Sequence, residues 1–233
     1  MGLDMGADQI WEKVKENVRL NATTGKSIGY YTDSEMSIDI KHFIFRLSRY
    51  KFIAKLMRYE KSVNVLEFGC NEAWGALLLK QNIDLNSYTG IDFDRDTIEW
   101  SEKNLPSEFS FICDDFFSYK KQLNKRYDLV FALDVIEHIE KTKEDEFCEL
   151  FLKGLSEGGT AVIGTPHINM TPYASEAASV GHINLYDQKR LFETCKRHFN
   201  NVYIFNMNDE MIHMGMDAMS CYFFAVCSNP VVK

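Results

Sequence analysis

Residues 63–75 read VNVLEFGCNEAWG, and this stretch decides the fold. An apolar run, Val63, Val65, Leu66 and Phe68, passes through the acidic Glu67 to Gly69, and from Trp74 to Leu79 the pattern becomes that of a helix start. Strand, tight turn and helix in that order make the junction at which an open α/β sheet binds ligands. The backbone there can approach a ligand closely, and helix N–H groups point at it. The stretch predicts a site for a nucleoside-like cofactor.

Downstream the periods alternate. Strands are predicted near 63–68, 87–92, 109–113, 127–133, 159–164, 201–206 and 220–227, and helices near 74–82, 94–104, 142–155 and 187–198. Apolar strands interleaved with amphipathic helices predict a parallel sheet with helices on both faces. Leu155-Ser-Glu-Gly-Gly before TAVIGTP marks a helix end, a turn and a strand. Upstream, residues 8–20 place Ile10, Trp11, Val14 and Val18 on one face of an amphipathic helix. Asn21 to Ser37 reads as an exposed loop in which Gly25, Gly29, Tyr30 and Tyr31 form a lid, followed by a helix from about Ile38 to Tyr59. The predicted organisation is an N-terminal helical cap or lid over 1–59 and an α/β domain over 60–233.

With 233 residues, 45% hydrophobic and 26% charged, the chain has the balance of one soluble globular domain with an appended segment. The six cysteines form no C-x-x-C pair and no zinc spacing, which points to reduced thiols in a cytoplasmic protein. The first residues hold no apolar stretch of signal-peptide length, and no run reaches the roughly 20 residues of a membrane span. A formal charge of −8 argues against a broad nucleic-acid surface and favours a small-molecule partner. No motif bears on oligomeric state.

Acidic residues recur where strands end. Asp92 closes YTGID 23 positions after Gly69, near the roughly 20-residue offset at which a carboxylate meets ribose hydroxyls. Asp114 and Asp115 follow FIC, positioned to accept from the amine of an adenine, with Phe93, Phe116 or Phe117 available to stack on it. YDLVFALDVIEHIEK then places Asp134, Glu137 and His138 just past the fourth strand.

With these residues the chain, from about 60 to 227, resembles the class I S-adenosylmethionine-dependent methyltransferases. VLEFGC is similar to their first motif, GIDFD to the ribose motif, CDDFF to the adenine motif, and YDLVFALDVIEHI to the strand-four signature. The resemblance implies a Rossmann-like sheet of seven strands, the last antiparallel. It implies S-adenosylmethionine held by Glu67 and Gly69 on the methionyl side, by Asp92 at the ribose, by Cys113, Asp114 and Asp115 at the adenine, and by the backbone of Leu133, with Cys70, Asn71 and Phe93 also among the cofactor-binding residues. Where the family carries glycine in the first turn, this chain has Asn71 and Ala73, of which Asn tolerates left-handed angles and Ala adds a methyl.

VIEHI, GTPH at 164–167 and GHINLYDQKRLF at 181–192 resemble a subgroup that methylates hydroxyls on sugars and similar small molecules. A sugar or sugar-nucleotide hydroxyl is the expected acceptor, with His182 or else His167 as its base. Enzymes that methylate the terminal ribose of small RNA share a Glu-x-x-Glu-His pattern with a later His. In this chain the corresponding Asp134, Glu137, His138 and His182 are candidate ligands for Mg²⁺ or Mn²⁺. Two further readings are a nicotinamide oxidoreductase, which would want an intact G-x-G-x-x-G that GCNEAWG lacks, and a non-catalytic nucleoside-binding module of the same fold.

Overall fold

A computed structural model describes residues 28–174 and 181–231; the helix predicted over 8–20 lies outside them. Strand β1 (Val63–Phe68) pairs in parallel with β2 (Leu85–Asp92) on one side and β4 (Tyr127–Leu133) on the other. Its apolar side chains are buried on both faces, as expected of a strand sandwiched between helix layers. β3 (Phe109–Cys113) extends the sheet beyond β2 and β5 (Leu155–Pro166) beyond β4, both parallel. β8 (Tyr222–Pro230) runs antiparallel between β5 and β6 (Phe199–Asn208). Strand order changes direction between β1 and β4, so the carboxyl ends of these strands flank a crevice.

The sheet has eight strands rather than the seven expected. The addition is β7 (Met211–His213), which folds back on Asn206–Asn208 of β6. Three residues are too few to show a period, so the hairpin is invisible in the pattern. The strand expected to be antiparallel is β8. β5 begins earlier than predicted because residues between Leu155 and Thr160 form a bulge, with Gly158 at φ 76°.

One face of the sheet is covered by α1 (Tyr30–Leu56), α2 (Trp74–Asn82) and α3 (Arg95–Asn104), and the other by α5 (Glu144–Gly154) and α6 (Gln188–Lys196), while α4 (Phe116–Tyr119) is a single turn after β3. The loop predicted through Ser37 is helical from Tyr30, so Tyr30 and Tyr31 form the first turn of α1 rather than a lid loop. The cause is tertiary: the Glu72 carboxylate, from the turn after β1, accepts from the N–H groups of Tyr31 and Thr32. Farther along, α1 buries Tyr50, Ile53 and Ala54 against the sheet, and Phe52 packs on Phe224 with ring centroids 4.6 Å apart. Among the described residues no helix is long and apolar enough to cross a membrane, and all six cysteines are free thiols.

Candidate active site

The turn after β1 holds Gly69, Asn71 and Ala73 at φ 73°, 49° and 47°. A side chain at Gly69 would collide with Val135, so the turn passes close to the strand-four loop at a glycine with positive φ. Asn71 supports its left-handed backbone by accepting the Glu72 N–H at 2.6 Å through Oδ1. Ala73 has no such compensation, and the conformation costs a non-glycine residue about 1–2 kcal/mol. The turn is thus formed without the two missing glycines.

Asp92 ends β2 beneath this turn. Its Oδ2 accepts from the Asn71 N–H at 2.8 Å and its Oδ1 from the Asp94 N–H at 3.0 Å, which fixes the carboxylate, and burial raises its pKa. Asp92, Gly69, Cys70, Asn71, Phe93, Asp115 and Leu133 all line one cavity of about 660 Å³. Phe93 is 76% exposed, its ring available to cover a ligand. Asp115 caps α4, accepting the Ser118 N–H at 3.0 Å with one carboxylate oxygen.

Three expected ligand contacts are not among the lining residues. Glu67 is fully buried behind the cavity, where the hydroxyls of Tyr50 and Tyr88 donate to its carboxyl group. Burial pushes its pKa to about 8, so it is a neutral strut between α1 and β2. Cys113 turns its thiol to the Phe93 carbonyl at 3.7 Å, and Asp114 donates its backbone N–H to the Asp92 carbonyl at 3.0 Å.

A second cavity of about 530 Å³ adjoins the first, and Arg46 and Asp134 line both. Asp134 stands at φ 57°, directly after Leu133, and pairs with Arg49, whose guanidinium lies 3.9 Å over the ring of Tyr222. Of the four residues expected to hold a metal, Asp134 is not in the converging group found among the described residues. The remaining three, Glu137, His138 and His182, each offer a ligand atom within 4.8 Å of the others. Glu137 is buried and accepts from the Thr165 hydroxyl at 3.0 Å, while its Oε1 has no partner. Burial and Asp134 raise its pKa. His138 donates from Nδ1 to the Gly181 carbonyl at 2.9 Å, which leaves the Nε2 lone pair free in the neutral tautomer.

His182 lines the second cavity, half-buried, its ring edge-on to that of His138 at 5.0 Å. Burial, and then the neighbouring His138, lower its pKa, so it is neutral near pH 7. Its loop is held by Asn184, which donates its N–H to the Glu137 carbonyl at 3.0 Å and its side-chain amide to Glu144 at 2.9 Å, and by the Tyr186 hydroxyl, 2.6 Å from Glu144. His167 also borders this cavity, but it is buried with both nitrogens engaged. Nδ1 accepts the Asn169 N–H at 2.8 Å and Nε2 donates to Asp217 at 3.1 Å, leaving no free lone pair for a base.

The methyltransferase domain family matches residues 39–203 of the chain. The chain belongs to that family. Its fold is shared with N-methyltransferase NodS from Bradyrhizobium japonicum WM9 bound to S-adenosyl-L-homocysteine, at 18% identity over 86% of this chain and 97% of that one, with a TM-score of 0.64. It is shared as well with a SAM-dependent methyltransferase from Archaeoglobus fulgidus (16% identity, 85% and 99% coverage, TM-score 0.62). The methyltransferase domain of bacterial CtHen1-CN gives 16% identity over 79% of this chain and 99% of that one, with a TM-score of 0.61. No curated protein matches the chain.

This S-adenosylmethionine-dependent methyltransferase surrounds its cavities with several residues that strand-end motifs did not single out. Arg46, Arg49 and Tyr50 fall on one face of α1 at i, i+3 and i+4, and that spacing within the predicted helix is the signal that would have found them. Glu72 and Tyr222 carry no such signal, because their roles arise from contacts with elements 40 or more residues away.

Proposed function

We propose that the larger cavity takes S-adenosylmethionine and the smaller one a small-molecule hydroxyl of the sugar or sugar-nucleotide class. Asp92 would hold the ribose hydroxyls, the Gly69–Asn71 turn and Leu133 the methionyl end, and Phe93 and Asp115 the adenine. The cofactor brings a methyl activated on a sulfonium sulfur. The observation that carries the reading is the junction: two cavities meet at Arg46 and Asp134, and His182 stands neutral on the wall of the second. Methyl transfer needs two reactants aligned and the acceptor proton removed. A ring nitrogen of His182 takes that proton as the acceptor oxygen gains its methyl group, and Asp134, held by Arg49, orients the hydroxyl. A volume of about 530 Å³ suits a small molecule, and the aromatic, carboxylate and guanidinium lining suits a polar one.

The convergence of Glu137, His138 and His182, with the unpartnered Glu137 Oε1, favours a second reading, metal-assisted methylation of a terminal ribose on RNA. A divalent cation bound there would lower the pKa of the acceptor hydroxyl. The test is transfer of label from methyl-labelled S-adenosylmethionine to a panel of sugars, sugar nucleotides and small RNA, with and without chelator. Label on a sugar hydroxyl that survives chelation is the expected outcome. Label confined to RNA and abolished by chelation would establish the second reading instead.

A further inference from the structure

Glu72 is buried at the tip of the turn after β1, yet its carboxylate serves another element. Oε1 accepts the Tyr31 N–H at 2.7 Å, and Oε2 accepts the Thr32 N–H at 3.0 Å and the Thr32 hydroxyl. These donors belong to the first turn of α1, where Gly29 offers no side-chain cap. A carboxylate there also complements the positive end of the helix. Two more bonds tie the same segment to the rim of the larger cavity: the Trp74 indole donates to the Ile28 carbonyl at 2.9 Å, and the Tyr31 hydroxyl to Asp94 at 3.0 Å. Gly29 fits the arrangement twice over, by its φ of 85° and because a Cβ would collide with the Glu72 carboxyl.

The contact continues toward the second cavity. Thr32 Oγ1 accepts from Arg46 Nη2 at 2.9 Å, and Arg46 pairs with Glu35 at 2.8 Å. Arg46 is the cation that lines both cavities, and Tyr31, Leu47 and Tyr50 of the same helix line the larger one opposite the turn. A ligand in the larger cavity therefore touches both bodies that Glu72 joins, and whatever orders one of them favours the order of the other.

We infer that Glu72 is a positioning residue that locks the start of α1 onto the turn after β1, so that filling the larger cavity and placing Arg46 at the junction are set together. The inference rests on the reading that this cavity takes S-adenosylmethionine. It is tested with S-adenosylhomocysteine as the probe, by calorimetry and by hydrogen exchange at the Tyr31 and Thr32 amides, in wild type, Glu72→Gln and Thr32→Val. In wild type both amides are protected, and the probe protects them further. Glu72→Gln speeds their exchange, removes the response to the probe and weakens its binding about tenfold, with Thr32→Val about threefold weaker than wild type.

A Glu72→Gln protein that folds, binds the probe as wild type does and retains protection at both amides would overturn the inference, as would weakened binding with the amides still responsive. A merely structural role would lower the melting temperature and leave the response of the amides to the probe intact. If Glu72→Gln does not fold, Thr32→Val, which keeps both backbone bonds, is read by the same two measurements. Absence of heat in wild type would instead overturn the cofactor reading, and this inference with it.

Discussion

On the side of the crevice formed by β1, β2 and β3, each group proposed to meet the cofactor lies within three residues of a strand end: Gly69 to Asn71 after Phe68, Asp92 as the last residue of β2, Asp115 two residues past Cys113. On the other side the groups are gathered from α1, from the loop after β4, and from the segment that carries His182. The first side is built by local chain geometry and the second by packing between distant elements. Backbone bonds hold Asp92, whereas Asp134 depends on Arg49, 85 positions away. A change on the first side should therefore strike cofactor affinity, and one on the second should strike turnover.

The sharpest separation is expected at His182. His182→Asn should lower turnover of any acceptor by about 100- to 10,000-fold, the usual worth of a general base, while S-adenosylhomocysteine affinity stays within about twofold. In wild type the rate should fall as pH drops through the depressed pKa of His182, below the ordinary imidazole value, because only the neutral ring accepts a proton. The variant should lack that acid limb. Equal losses of affinity and turnover would mean the two sides are not separable.

Asp92→Ala should reverse the pattern, weakening S-adenosylhomocysteine by about a hundredfold or more, since two charge-assisted hydrogen bonds to ribose are each worth roughly 1.5–3 kcal/mol. Loss of the carboxylate also frees the Asn71 and Asp94 N–H groups that shape the turn. Affinity unchanged by calorimetry would move the ribose elsewhere.

A smaller effect concerns the seam between the sides. Glu67 has a folded-state pKa raised to about 8 by burial, so the folded protein holds its proton more tightly than the unfolded chain. That contribution to stability is fully present below the unfolded carboxyl value and is lost as pH rises toward about 8. The wild-type melting temperature should fall by several degrees between about pH 5 and about pH 8, and Glu67→Gln should flatten that part of the profile. Parallel profiles would place the titration on other groups. The smallest change is expected at Ala73, where glycine removes the left-handed strain at some entropic cost, for a net gain of about 0.5–1 kcal/mol measured by denaturant unfolding.

The same division explains what the sequence revealed. β1, β3, β4 and α2 match the predicted bounds, β1 and β4 because parallel strands buried on both faces read as apolar runs bounded by turn residues. Asp92 and Asp115 stand out in the sequence by their places at strand ends, and both line the larger cavity. The start of α1 was missed because its cap comes from Glu72, and β7 because three residues show no period. Glu67 lies behind the cavity rather than on its lining for a related reason. Its position next to the turn is local, but the inward direction of its side chain is set by Tyr50 and Tyr88. The methionines from β6 to β8 divide likewise. Met207 is buried beside the second cavity, while Met211, Met214, Met216 and Met219 are exposed on the β7 excursion.

A turn that keeps its shape with Asn71 and Ala73 should still hold the cofactor. Calorimetric titration of wild-type protein with S-adenosylhomocysteine tests this most directly, with NAD as the control. Saturable heat of micromolar affinity, retained in His182→Asn, strongly weakened in Asp92→Ala and absent with NAD, is the predicted result. No heat from S-adenosylhomocysteine at protein concentrations adequate for micromolar binding would contradict it.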